Sequence, residues 1–120
     1  MKRWLHSFRC AAAGLAHLLR TQANARIHAV ATALVLLTGF FLHLEARDWC
    51  WLVLAIAMVW TAEALNTAIE CLADHASSGP HPLIGHAKDV AAGAVLCAAA
   101  GSAVIGLLVL GPGLRQFLAK

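Results

Sequence analysis

Three long stretches without a formal charge constrain this chain more than any other feature. Ile27 to Leu44 is broken only by His28, Thr32, Thr38 and His43. Trp49 to Ala62 carries no charge, and neither does Val90 to Leu110. A helix needs about 20 predominantly apolar residues to cross a bilayer. The first and third stretches meet that length alone. The second meets it only if its helix continues through Glu63 and Glu70. Of the 120 residues, 61% are hydrophobic and 12% charged, against about 25% charged in an ordinary soluble domain. The reading is an all-α integral membrane protein with a single domain over residues 1–120. Its spans are expected at about 27–44, 49–71 and 90–110.

The basic residues set the topology. Lys2, Arg3, Arg9, Arg20 and Arg26 precede or open the first span, and Lys88 closes the second loop. Placing them inside puts six of the nine Lys and Arg residues on the cytoplasmic side, as the positive-inside rule requires. Trp49 and Trp51 then fall at the outer boundary, where indoles settle. The first apolar stretch starts too late for a cleavable signal peptide, whose apolar core follows a short basic start. Residues 3–20 read as an amphipathic surface helix. Trp4, Phe8, Leu15, Leu18 and Leu19 alternate there with Arg9, His17 and Arg20, a pattern suited to the membrane plane. The same periodicity fits a packed bundle helix.

Gly79, Pro80 and Pro82 stop the second span, and a new helix is predicted to start after Pro82 and run through Lys88. Gly93, Cys97 and Gly101 recur every four residues, which permits close helix contact. Cys10, Cys50, Cys71 and Cys97 fall in different zones and contain no CxxC pair. They read as small apolar packing residues rather than a disulfide framework.

The chemistry concentrates in "TAEALNTAIECLAD", Thr61 to Asp74. Glu63 and Glu70 are two helical turns apart, Asn66 lies between them, and Asp74 is one turn further, so all four share a face. At about 1.5 Å per residue, Glu63 lies roughly 20 Å from Trp49, in the cytoplasmic leaflet. Glu70 then reaches the inner interface and Asp74 stands in water. An ionisable group at the depth of Glu63 is expensive and points to function. A carboxylate facing a lipid hydroxyl can act as general base. A second, nearer water, can hold Mg²⁺, which binds one or two carboxylates together with substrate phosphates. Lys88 and Asp89 can meet phosphate, metal or ribose. These parts suit phosphoryl transfer from a nucleotide to a lipid alcohol. A proton pathway would also place carboxylates in a membrane helix. No GxxxxGK[ST] loop is present, and "GPGLRQ" lacks the third glycine of GxGxxG. His75, His81 and His86 have no tight metal-ligand spacing.

"EALNTAIECLAD" followed by "HPLIGHAKDVAAGAVL" resembles the small prokaryotic diacylglycerol kinase family, and most closely its undecaprenol kinase branch. "SFRCAAAGL" and "NARIH" are similar to its N-terminal half, so the resemblance spans about Ser7 to Leu110. It implies a bacterial inner-membrane homotrimer of three transmembrane helices and a surface helix per subunit. The N-terminus and active sites would be cytoplasmic, with the sites between neighbouring subunits. It implies an ATP-dependent lipid kinase using Mg²⁺, acting on undecaprenol or diacylglycerol; no nucleic-acid partner is expected. Glu63 matches the catalytic base, Asn66 the active-site asparagine, and Glu70 a metal-binding glutamate beside the nucleotide. Lys88 and Asp89 match nucleotide-contacting positions. His81 falls in the loop that approaches the nucleotide, and Asp74 is a supporting polar residue.

One position departs from that pattern. Four residues ahead of Arg26, where the family usually has a second metal-binding glutamate, this chain has Gln22. A glutamine offers one neutral oxygen, so a hard-cation site there should weaken. Retained activity is expected because every other motif residue is present. The rival readings are a weak or inactive scaffold and a proton-conducting protein of the same fold.

Overall fold

The computed structural model describes residues 2–76 and 79–119. Those residues form four α-helices and no strand: α1 (Lys2–Thr21), α2 (Ala23–Phe41), α3 (Ala46–Ala76) and α4 (Pro82–Leu118). Helices α2, α3 and α4 are each long and apolar enough to cross a membrane. Helices α3 and α4 overrun their charge-free stretches at both ends. At about 1.5 Å per residue α3 is some 46 Å long and α4 some 55 Å, well beyond a hydrocarbon core of about 30 Å. The helix carrying Glu63 therefore continues unbroken through Glu70 and Asp74, as the length argument requires.

The turns show why the helices stop where they do. Gln22, extended at φ −101° and ψ 121°, separates α1 from α2. Arg26 reaches back from α2 and donates to the Arg20 carbonyl at 3.1 Å, placing a cation on the carbonyl end of α1. Helix α2 ends at Phe41, short of the expected Leu44. His43 adopts the left-handed conformation at φ 52°. Its N–H donates to Phe40 O, and that of Leu44 donates to Gly39 O. This is a Schellman closure without its usual glycine, which is why "FFLHLEARD" carries no obvious stop. Pro82 occupies the first turn of α4, where a missing N–H costs nothing.

Antiparallel α3 and α4 make the most extensive contact in the molecule. Leu52, Ala55 and Val59 of α3 are buried with Ala91, Val95 and Ala98 of α4. Of the expected small-residue stripe, Gly101 approaches α3, where an added Cβ would lie 3.7 Å from Met58 Cε; the other two positions do not. A Cβ on Gly93 would meet nothing within 4 Å, and Cys97 is exposed. Ala91, Val95 and Ala98, one or two positions away on α4, bring the helices together over the rest of the seam. All four cysteines are free and exposed, so they do not pack the interior as expected. Helix α2 leans on the pair. The Trp60 indole N–H donates to the Thr32 hydroxyl at 3.0 Å. Trp49 folds over Gly39, where an added Cβ would lie 2.8 Å from its ring. Trp51 points outward. On α1, Leu18 is buried, while Trp4, Phe8 and Leu15 are exposed. Much of the apolar surface of α2 and α4 is also uncovered, including Leu34, Leu37, Leu96, Leu107 and Leu108.

Candidate active site

The site is built from the second half of α3, the loop after it and the first turns of α4. Burial grades along α3. Glu63 is 1% exposed and Asn66 7%, Glu70 is half-buried, and Asp74 is exposed. This is the order that the helical rise gives a face running from the bundle interior to its polar end. Asn66 Nδ2 donates to Glu70 Oε1 at 3.0 Å, so the amide fixes one carboxylate oxygen. Glu63 Oε2 and Asn66 Oδ1 are buried without a hydrogen-bond partner. A buried polar atom in that state costs about 1–3 kcal/mol. Such atoms mark places where a further molecule belongs.

At the polar end, Lys88 Nζ donates to Asp74 Oδ1 at 2.9 Å, closing the foot of the α3–α4 pair. The hydrogen bond and charge of Asp74, helped by Glu70, raise the pKa of the Lys88 ammonium above its ordinary value. Lys88 lies ahead of the apolar stretch that begins at Val90. A cavity of about 450 Å³ opens beside this pair, lined among others by Asp74, Gly79, His81 and Lys88. His81 is at the N-cap of α4. Three residues singled out from the sequence thus converge on one polar mouth. Asp89, exposed on the next face of α4, does not line it. Gln22 is half-buried at the α1–α2 junction. Between the apolar flanks of α3 and α4 runs a groove of about 920 Å³. Leu54, Met58, Leu65, Val90 and Ala94 line it, and Asn66 is a polar residue in its wall.

Among the described residues, no three His, Cys, Asp or Glu side chains gather as a ready-made metal cage. The donor set fits Mg²⁺ of the kind completed by substrate. Glu70 has a second carboxylate oxygen besides the one bonded to Asn66 and lies close enough to Lys88 for its charge to act there, and such ions take one or two carboxylates plus phosphates. Sequence reasoning passed over Thr67, which is 6% exposed with its hydroxyl unpartnered. Its spacing of four from Glu63 was the available signal.

The profile of the prokaryotic diacylglycerol kinase family matches residues 9–110. The undecaprenol kinase of Bacillus subtilis (strain 168) is 40% identical over 112 residues, covering 93% of this chain and 91% of that protein. A diacylglycerol kinase of Synechocystis sp. is 41% identical over 115 residues, 95% of this chain and 66% of that protein. The diacylglycerol kinase of Escherichia coli (strain K12) is 35% identical over 77 residues, 64% of this chain and 63% of that protein. The family match takes in all of α2 and α3, most of α1 and α4, the Glu63–Asp74 face and Lys88, and the chain belongs to the prokaryotic diacylglycerol kinase family.

Proposed function

We propose that this chain is a single-domain, ATP-dependent lipid kinase that transfers the γ-phosphate of ATP to the hydroxyl of a membrane lipid alcohol, with undecaprenol preferred over diacylglycerol. The observation that carries the reading is Glu63. It is a carboxyl group 1% exposed, with an unpartnered oxygen, on the same face as Asn66, Glu70 and Asp74. Family membership supplies the reaction class. The preference for undecaprenol follows the Bacillus relative, which matches along most of both chains.

In this mechanism the lipid hydroxyl approaches Glu63 from the membrane. Glu63 accepts its proton as the lipid oxygen bonds to the γ-phosphorus. The bond from that phosphorus to the bridging oxygen breaks, and ADP leaves with the electron pair. Asn66 Nδ2 holds the Glu70 carboxylate. Lys88 and His81 bind the nucleotide at the mouth, with Asp89 beside them, and Asp74 supports Lys88. Glu70, and more weakly the neutral oxygen of Gln22, would hold Mg²⁺, which would supply charge neutralisation at the phosphates. The site faces the cytoplasm of a bacterial inner membrane, where ATP is available. Helix α1 lies on that surface with its basic residues near anionic headgroups. The uncovered apolar faces of α2 and α4 are suited to a homotrimer with active sites between neighbouring subunits.

The test is transfer of labelled γ-phosphate by the protein in mild detergent, with undecaprenol and diacylglycerol offered separately across a Mg²⁺ titration. Glu63→Gln should lower the rate by about 10²–10⁴-fold, the usual contribution of a general base. A folded Glu63→Gln variant at the wild-type rate would remove the base assignment. No lipid product from the folded wild type would favour the scaffold or proton-conducting reading.

A further inference from the structure

Glu63 Oε2, Asn66 Oδ1 and Thr67 Oγ1 are, among the described residues, the buried side-chain polar atoms left without a hydrogen bond. All three fall within five consecutive positions of α3. The mechanism above gives tasks to Glu63 and Asn66 and leaves Thr67 without one. A helical threonine normally has an easy partner in the carbonyl four residues back. Thr21 donates to His17 O at 2.9 Å, and Ser7 to Arg3 O at 3.1 Å. Thr67 makes no such bond to Glu63 O, though it is only 6% exposed. Valine would fill the same space without stranding a hydroxyl, so packing does not explain this residue.

Donor and acceptor chemistry does. An ionised Glu63 and the Asn66 carbonyl oxygen only accept. Thr67 is the one member of the trio with a hydrogen to give. The lipid hydroxyl donates its proton to Glu63, whereas a transferring phosphoryl group presents acceptor oxygens only and gathers charge on them. Along the axis, Thr67 stands about 6 Å past Glu63 and about 4.5 Å before Glu70, at 1.5 Å per residue. That is the level between the base and the carboxylate assigned to the nucleotide's metal, where the phosphoryl group must pass.

We infer that Thr67 is a catalytic residue whose hydroxyl donates a hydrogen bond to an equatorial oxygen of the phosphoryl group in flight; this rests on the reading of Glu63 as base. The bond forms to oxygens that neither enter nor leave, so Thr67 keeps its proton throughout.

The experiment compares Thr67→Val and Thr67→Ser with wild type and Glu63→Gln, using ATP or ATPγS with undecaprenol in detergent. Removing one such donor typically costs about 10²–10³-fold in kcat. Thr67→Val should lose kcat on that scale, leave KM for ATP and lipid within about threefold, and hold or raise the thermal midpoint. Thr67→Ser should keep most of kcat. Sulfur accepts hydrogen bonds poorly, so the ATP/ATPγS rate ratio should shrink in Thr67→Val. Wild-type kcat in Thr67→Val, an unchanged thio ratio, or a lowered midpoint with equal loss in Thr67→Ser would each overturn the inference. If Glu63→Gln itself keeps full activity, the base assignment fails first, and the two failures are told apart.

Discussion

Helix α3 is two different helices end to end. In the half that starts at Trp49, the polar groups at the seams are paired within the chain. The Trp60 N–H meets the Thr32 hydroxyl at 3.0 Å, and the Ser102 hydroxyl meets Ala55 O at 2.9 Å. In the half that ends at Asp74, Glu63, Asn66 and Thr67 are buried with unpartnered atoms. The chemistry available to the two halves is similar, so their different treatment is informative. Away from water, hydrogen bonds between helices join them, and polar groups that bind nothing in the chain are kept for something outside it. The first half reads as scaffold. On the proposed function, the second trades stability for a site, a pattern common where function needs an unrelieved group.

The contrast is sharpest if the halves respond to mutation in different currencies. Asn66→Ala removes the 3.0 Å donor to Glu70 and an unpartnered buried oxygen together. The rate should fall about 10²-fold, on the scale of a lost positioning or transition-state contact, while the unfolding midpoint in detergent holds or rises. Ser102→Ala should do the opposite. Interhelical hydrogen bonds in membranes are worth about 0.6 kcal/mol on average, so stability to denaturing detergent should drop slightly with kcat unchanged. If Ser102→Ala instead loses activity at full stability, the division of α3 into scaffold and site fails.

How much of this the sequence disclosed follows from what kind of signal each feature leaves. The three spanning helices were legible because charge is expensive in lipid. The shared face of Glu63, Asn66, Glu70 and Asp74 was legible because helical period alone fixes it. The end of α2 was not, since His43 adopts a left-handed turn that glycine normally marks. Nor was the seam. Gly93 and Cys97 have the small-residue spacing, but rotation of α4 turns Ala91, Val95 and Ala98 inward instead. The Asp74–Lys88 pair joins residues 14 apart across a turn, and no local pattern reports which cation answers which carboxylate. Thr67 was hidden differently. A threonine in an apolar helix looks ordinary until its hydroxyl is found without a partner.

The smallest effect expected concerns Gln22, at the junction where α1 gives way to α2. A glutamine there can still offer a carbonyl oxygen to a hard cation, but without the charge that usually dominates such binding. Gln22→Glu should therefore lower the Mg²⁺ concentration for half-maximal rate by a few-fold, roughly the difference between a neutral and a charged oxygen at a site finished by substrate phosphates. The rate at saturating Mg²⁺ should change little, because Glu63 and Thr67 lie on a different helix, α3. The unfolding midpoint without Mg²⁺ should hold as well, since Gln22 is only half-buried and its backbone bonds to Leu18 O and from Arg26 N–H do not depend on the side chain. A Mg²⁺ titration that superimposes on wild type would take position 22 out of the metal site and leave Glu70 as its carboxylate on this chain.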